Sequence, residues 1–178
     1  MCCNETDATK RPVRTLIIGY GNTLRSDDGA GPALIAALEK RMGGSQGRDW
    51  ELVSCVQLTP ELACAMARSQ QVIFADASVQ LPAGKVTIRR IKANGAAPLN
   101  LHQYGPDQLV RLCREIFDFR PEAWVVAIGV ATLEIGDILS AATANVVERL
   151  AGHLSHRLCR LQSVVEAVTT AHRELNRI

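Results

Sequence analysis

Residues Leu16–Gly31 read LIIGYGNTLRSDDGAG: an apolar run passes into a glycine-rich turn and then into two adjacent carboxylates, Asp27 and Asp28. A strand buried on both faces of a parallel sheet reads as an unbroken apolar run, and Val13–Ile18 fits, with only Arg14 and Thr15 polar near its start. Gly19 and Gly21 let the backbone turn sharply and approach a ligand, and a helix is expected to begin close to Asp28, where its dipole favours an acid. A carboxylate beyond the carboxyl end of a strand is a site candidate.

Two familiar phosphate-binding loops are excluded by the same residues. A dinucleotide fingerprint needs a third glycine where this chain has Leu24, and an acid near the end of the second strand, where Cys55, Val56 and Gln57 stand. A P-loop needs Gly-Lys-Ser/Thr at the helix start, and here the chain reads Asp-Asp-Gly. The plain alternative is that Asp27 and Asp28 only cap the helix.

The rest of the chain alternates strands and helices. Leu34, Leu38 and Met42 share a helix face ahead of the breaker GGSQG; Glu51–Val56 reads as a strand; Thr59 and Pro60 mark the N-cap and first residue of a helix running to about Arg68. Gln71–Phe74 is a short buried strand ending at Ala75 and Asp76, and Lys85–Ile91 is an edge strand. His102 precedes a helix over Pro106–Phe117, Ala123–Ile128 is the last buried strand, and Leu139 and Ser140 cap a helical region reaching about Leu161. This alternation predicts an α/β fold: a three-layer α/β/α sandwich whose twisted, mostly parallel sheet of about five strands carries helices on both faces.

The 178 residues read as a single domain over 13–161, with a polar leader at 1–12 and a helical tail at 162–178. A net charge of +2, scattered Lys and Arg and 4% aromatic residues give no basic stripe with stacking aromatics, which sets nucleic acid aside. The chain shows neither an apolar signal segment nor a run near the roughly 18 apolar residues of a membrane span, so a cytoplasmic protein is expected. The six cysteines form no Cys-x-x-Cys pair and are expected to be mostly small buried hydrophobes, with Cys2 and Cys3 in an inert leader.

In open α/β sheets ligands bind beyond the carboxyl ends of the strands. Asp28, Asp76 and His102 fall there, from three separate connections, and two carboxylates with an imidazole suit a divalent transition metal: nickel, zinc or iron. His153, His156 and Cys159 share a helical spacing, but Leu150, Leu154, Leu158 and Leu161 make that helix's buried stripe and the histidines fit a solvated face. Cys55 and Cys64 are nucleophile candidates only with a base in reach.

The stretch Ile18–Gly31 resembles the opening loop of the hydrogenase maturation endopeptidases. Leu58–Leu62, Val72–Ala77, Leu101–Gln103, and Ile128 through Ser140 are similar, in order, to further pieces of that family. The resemblance implies a twisted sheet between helices and a hydrolase of the aspartic type. It would trim the C-terminal extension of a nickel-iron hydrogenase large-subunit precursor once nickel is installed. The implied metal and catalytic residues are Asp28, Asp76 and His102, with nickel supplied by the precursor and Asp28, which is Glu in some members, also a candidate proton acceptor. No Gly-x-Ser-x-Gly, His-Glu-x-x-His or paired Asp-Thr/Ser-Gly motif offers other protease machinery. A non-catalytic nickel chaperone or docking factor in hydrogenase assembly is the competing class, and a small-molecule enzyme the weaker rival.

Overall fold

The computed structural model describes residues 13–45, 49–92 and 104–159, together with Arg173. His102, Cys2, Cys3, His172, the leader at 1–12 and the tail at 162–178 apart from Arg173 lie outside the described residues. The strands are β1 (Val13–Tyr20), β2 (Trp50–Cys55), β3 (Ser69–Ser78), β4 (Val86–Arg90) and β5 (Glu122–Gly129). The helices are α1 (Ala30–Met42), α2 (Leu62–Ala67), α3 (Pro106–Phe117) and α4 (Ala141–Cys159).

The strands form one five-stranded sheet in the order β2-β1-β3-β5-β4. All neighbouring pairs are parallel except β4 with β5. β4 is the expected edge strand; its antiparallel direction follows from the short return through Leu81–Lys85, where Gly84 N–H donates to Gly129 O.

Alternation along each central strand supplies two cores. Ile17, Ile73, Val126 and Ile128 meet Leu34, Ile35 and Leu38 of α1 and Val147, Leu150 and Leu154 of α4. On the opposite face Leu16, Ile18, Val72 and Phe74 meet Met66 of α2 and Leu109, Val110 and Cys113 of α3. Each fully buried Leu or Ile of this kind contributes roughly 1.5–3 kcal/mol, so both helical layers are held by the strands they cover. The three-layer sandwich is thus the observed fold.

Element boundaries differ from expectation at two functional places. β3 continues past Phe74 because Asp76, Ala77 and Ser78 pair with Ala127, Ile128 and Gly129 of β5, which puts Asp76 inside the strand rather than at its end. α2 begins at Leu62, not at Pro60: Leu62 N–H and Ala63 N–H bond back to Thr59 O and Pro60 O, a tighter turn ahead of the helix. Thr59 bonds the side chain of Glu61 instead of capping, and holds that carboxyl below its ordinary value.

From β1 the chain winds through α1 to β2, then crosses back over β1 through α2 to β3. The winding direction therefore reverses between β1 and β3, and a crevice opens beyond their carboxyl ends.

Candidate functional site

Asp27 and Asp28 are neighbours in sequence and have opposite fates. Both sit in a short 3-10 helix, Ser26–Gly29, that leads into α1, and neither caps a helix: Arg25 and Gly29 hold the two N-cap positions. This removes the capping alternative.

Asp27 is 0% exposed. Its Oδ1 accepts Ser140 N–H at 2.6 Å, and its Oδ2 accepts Ala131 N–H at 2.8 Å, Thr132 N–H at 3.3 Å and the Ser140 hydroxyl at 2.8 Å. Burial by itself would raise its pKa, but the bonds from Ser140 and Ala131 prevail and hold the carboxyl below its ordinary value. Asp27 therefore ties the opening loop to the loop after β5. The two loops are also stitched by backbone: Ser26 N–H donates to Gly136 O at 2.7 Å and Gly136 N–H to Leu24 O at 3.0 Å. Ser140 in turn caps α4, its Oγ accepting Thr143 N–H.

Asp28 points the other way, and its Oδ2 accepts Asn22 N–H at 2.9 Å. The loop curls over it because Gly21 adopts φ +141°, where a Cβ would come within 1.9 Å of Asp28 O. The glycines expected to admit a ligand here admit the chain's own backbone. Gly19 serves the same end, since its Cβ would lie 2.2 Å from Gly31 O, where β1 meets α1.

Asp76 is brought to the same crevice by β3. Gly19 of β1 pairs with Ala75, which sets Tyr20 level with Asp76 on the adjoining strand. The Tyr20 hydroxyl donates to Asp76 Oδ2 at 2.6 Å. Burial, and to a smaller degree the nearby Asp28 charge, push Asp76 above the ordinary carboxylate value, against the hydrogen bonds from Tyr20 and Ala77. Burial and the Asp76 charge likewise push the Tyr20 phenol far up, so it remains protonated and a donor. The structure thus brings Asp28 and Asp76 together, while the third residue of the expected set, His102, lies outside the described residues. Among the described residues no group of three or more His, Cys, Asp or Glu is placed to hold a metal ion.

Sequence reasoning missed Tyr20 and the role of Asp27. Tyr20 carried a signal, a lone polar aromatic closing an apolar strand, but its partner is 56 residues away. Cys55, beside Tyr20 in the sheet register, is a half-buried free thiol whose pKa is raised by burial, which disfavours a thiolate nucleophile. Cys113 is a buried free thiol as expected, pushed up to about 11 by burial, and Cys64 is disulfide-bonded, an exception to the expectation that most of the cysteines are small buried hydrophobes. His156 is exposed, and Leu150, Leu154 and Leu158 form the buried stripe of α4.

Exposed apolar side chains stand on the loops around this crevice. Leu24 follows β1, Val56 follows β2, Val79 follows β3, and Ile135 and Ile138, 95% and 78% exposed, follow β5.

A doubly wound sheet with two carboxylates at its switch point defines an α/β protein with an acidic crevice beyond its strand ends. Similar structures give the more particular assignment. The [NiFe] hydrogenase maturation protease HycI from Thermococcus kodakarensis superposes with a TM-score of 0.69 over 87% of this chain and 97% of its own, at 18% identity. The hydrogenase maturating endopeptidase HybD from Escherichia coli gives 0.66 over 83% and 94%, at 25% identity. An endopeptidase from Escherichia coli gives 0.60 over 92% and 94%, at 26% identity. No family model matches the chain, and no curated protein matches it by sequence. The chain shares its fold with these maturation endopeptidases, the family its opening loop resembles.

Proposed function

We propose that this protein is an endopeptidase that removes the C-terminal extension of a nickel-iron hydrogenase large-subunit precursor, in the cytoplasm, after nickel has entered that precursor. Asp28, Asp76 and His102 are the residues that meet the nickel-bearing part of the client. The observation that carries the reading is the convergence of Asp28 and Asp76 at the switch point of a fold shared with maturation endopeptidases. Two carboxylates close enough for one to raise the pKa of the other make a region of negative potential that a divalent cation relieves, so the donor set fits a metal presented by the client. The exposed apolar side chains around the crevice suit a protein surface better than a small solute.

A client-held metal supplies polarisation of the scissile carbonyl or activation of water. The chain's own residues do the rest. Asp76, held by Tyr20, offers a fixed oxygen donor. Asp28, held through one oxygen by Asn22 N–H and incompletely buried, is the proton acceptor; Asp27 is enclosed by its four bonds and plays no chemical part. An aspartic-type assignment agrees with this use of carboxylates.

The test is intact-mass spectrometry of hydrogenase large-subunit precursors, nickel-loaded and nickel-free, incubated with the protein. Loss of one C-terminal peptide from the loaded form alone is expected. Tight binding of the precursor without cleavage would overturn the peptidase reading in favour of a nickel chaperone. Asp76→Asn and His102→Ala are each expected to reduce trimming at least about 100-fold; full activity in both variants would sink the site assignment.

A further inference from the structure

We infer that Tyr20 is a positioning residue for the reaction: its hydroxyl fixes the Asp76 carboxylate in the one orientation the client meets, an inference that rests on the function proposed above. Asp76 belongs to β3, whose backbone is fixed by parallel partners on both sides, so what remains free is the rotation of its carboxylate. Tyr20, beside the backbone bond from Ala77, restricts that freedom. It is the last residue of β1, level with Asp76 because Gly19 pairs with Ala75, and its phenol spans the interstrand gap to Oδ2 at 2.6 Å.

The ring is itself held. Tyr20 packs against the core that includes Leu16, Ile18, Phe74 and Leu109, and its backbone is paired with Cys55 of β2. A phenol on a central strand, anchored by packing, aims its hydroxyl with little rotational freedom of its own. That is the arrangement by which an outer hydrogen bond orients a ligating side chain, and loss of such a bond typically lowers metal affinity or activity 10- to 100-fold. The ring also fills the flanking core, which a serine or asparagine at position 20 would leave empty.

The test compares wild type, Tyr20→Phe, Asp76→Asn and the double variant. Phenylalanine keeps the ring and its packing and deletes only the hydroxyl. Trimming of nickel-loaded precursor by Tyr20→Phe is expected to fall 10- to 100-fold in kcat, with KM for the precursor within about twofold and the thermal midpoint near that of wild type. Binding of Ni2+ alone, followed by calorimetry, is expected to weaken by a similar factor in Tyr20→Phe. In the Asp76→Asn background the Tyr20→Phe change is expected to do nothing further, because its effect acts through the carboxylate. A merely structural role predicts a lowered thermal midpoint and an additive double variant, and either result would overturn the inference. Unchanged trimming and Ni2+ binding in Tyr20→Phe would overturn it as well. Failure of the wild type to trim any precursor overturns the proposed function; the positioning role then stands if Tyr20→Phe weakens Ni2+ binding relative to wild type, and is overturned if it does not or if the wild type binds no Ni2+.

Discussion

At the scale of single residues, the adjacent pair Asp27 and Asp28 shows how one step along the chain separates a fully enclosed carboxylate from a partly exposed one. Asp27 accepts bonds that hold the loop after β5 against the opening loop, so Asp27→Ala leaves the Ser140 and Ala131 donors unpaired. We expect a loss of about 3 kcal/mol in stability by urea denaturation. The sign of its pH dependence follows from the lowered pKa: the folded state favours the charged form, so the stabilisation is present above the ordinary carboxylate pKa and is lost as pH falls through the folded value. The stability gap between wild type and Asp27→Asn is therefore expected to close in acid. Asp76 has the opposite sign. Its folded pKa is raised, so its charged form is disfavoured by folding; the penalty sets in as pH rises through the ordinary carboxylate value and is complete above the folded value. Asp76→Asn is expected to have a thermal midpoint at pH 7 no lower than wild type while trimming is lost; a clearly lower midpoint would contradict this reading. The identity of the acids was legible from their place after a buried strand. Which of the two faces inward was not, because Asp27's partners are more than 100 residues away.

At the scale of elements, the turn from β1 into α1 is built around close backbone approach. Gly21→Ala would put a methyl 1.9 Å from Asp28 O at φ +141°, so the loop must open and Asp28 must move. We expect a loss of about 3 kcal/mol in denaturant midpoint analysis together with loss of trimming, since strain and site displacement share one cause. The sequence showed these glycines and the helix they precede. It did not show that the space they leave is filled by the chain itself. The reach of β3 to Ser78 was equally hidden: Asp76 has no strand-forming tendency of its own and is extended because β5 runs beside it.

At the scale of the whole molecule, β1 and β3 lie at the centre of the sheet with both faces covered, and β4 lies at its edge. Amide hydrogen exchange is expected to be slowest for Leu16–Ile18 and Val72–Ala75 and markedly faster along Val86–Arg90, because only the former require global opening. Uniform protection across the sheet would contradict this. The candidate site stands on central strands of the sheet, and the loops of 22–26 and 131–140 are stitched to each other above them.

The sequence by itself determined the α/β alternation, the buried strands, the opening loop and the acids at the ends of the first and third apolar runs, because apolar periodicity and turn chemistry are local properties of the chain. Only the tertiary structure decided that Asp27 is a tie between two loops, that β4 runs antiparallel, and that Tyr20 holds Asp76. Each of these depends on which distant segment arrives alongside, and a side chain's partner across the sheet is set by strand order and register, not by its neighbours in sequence.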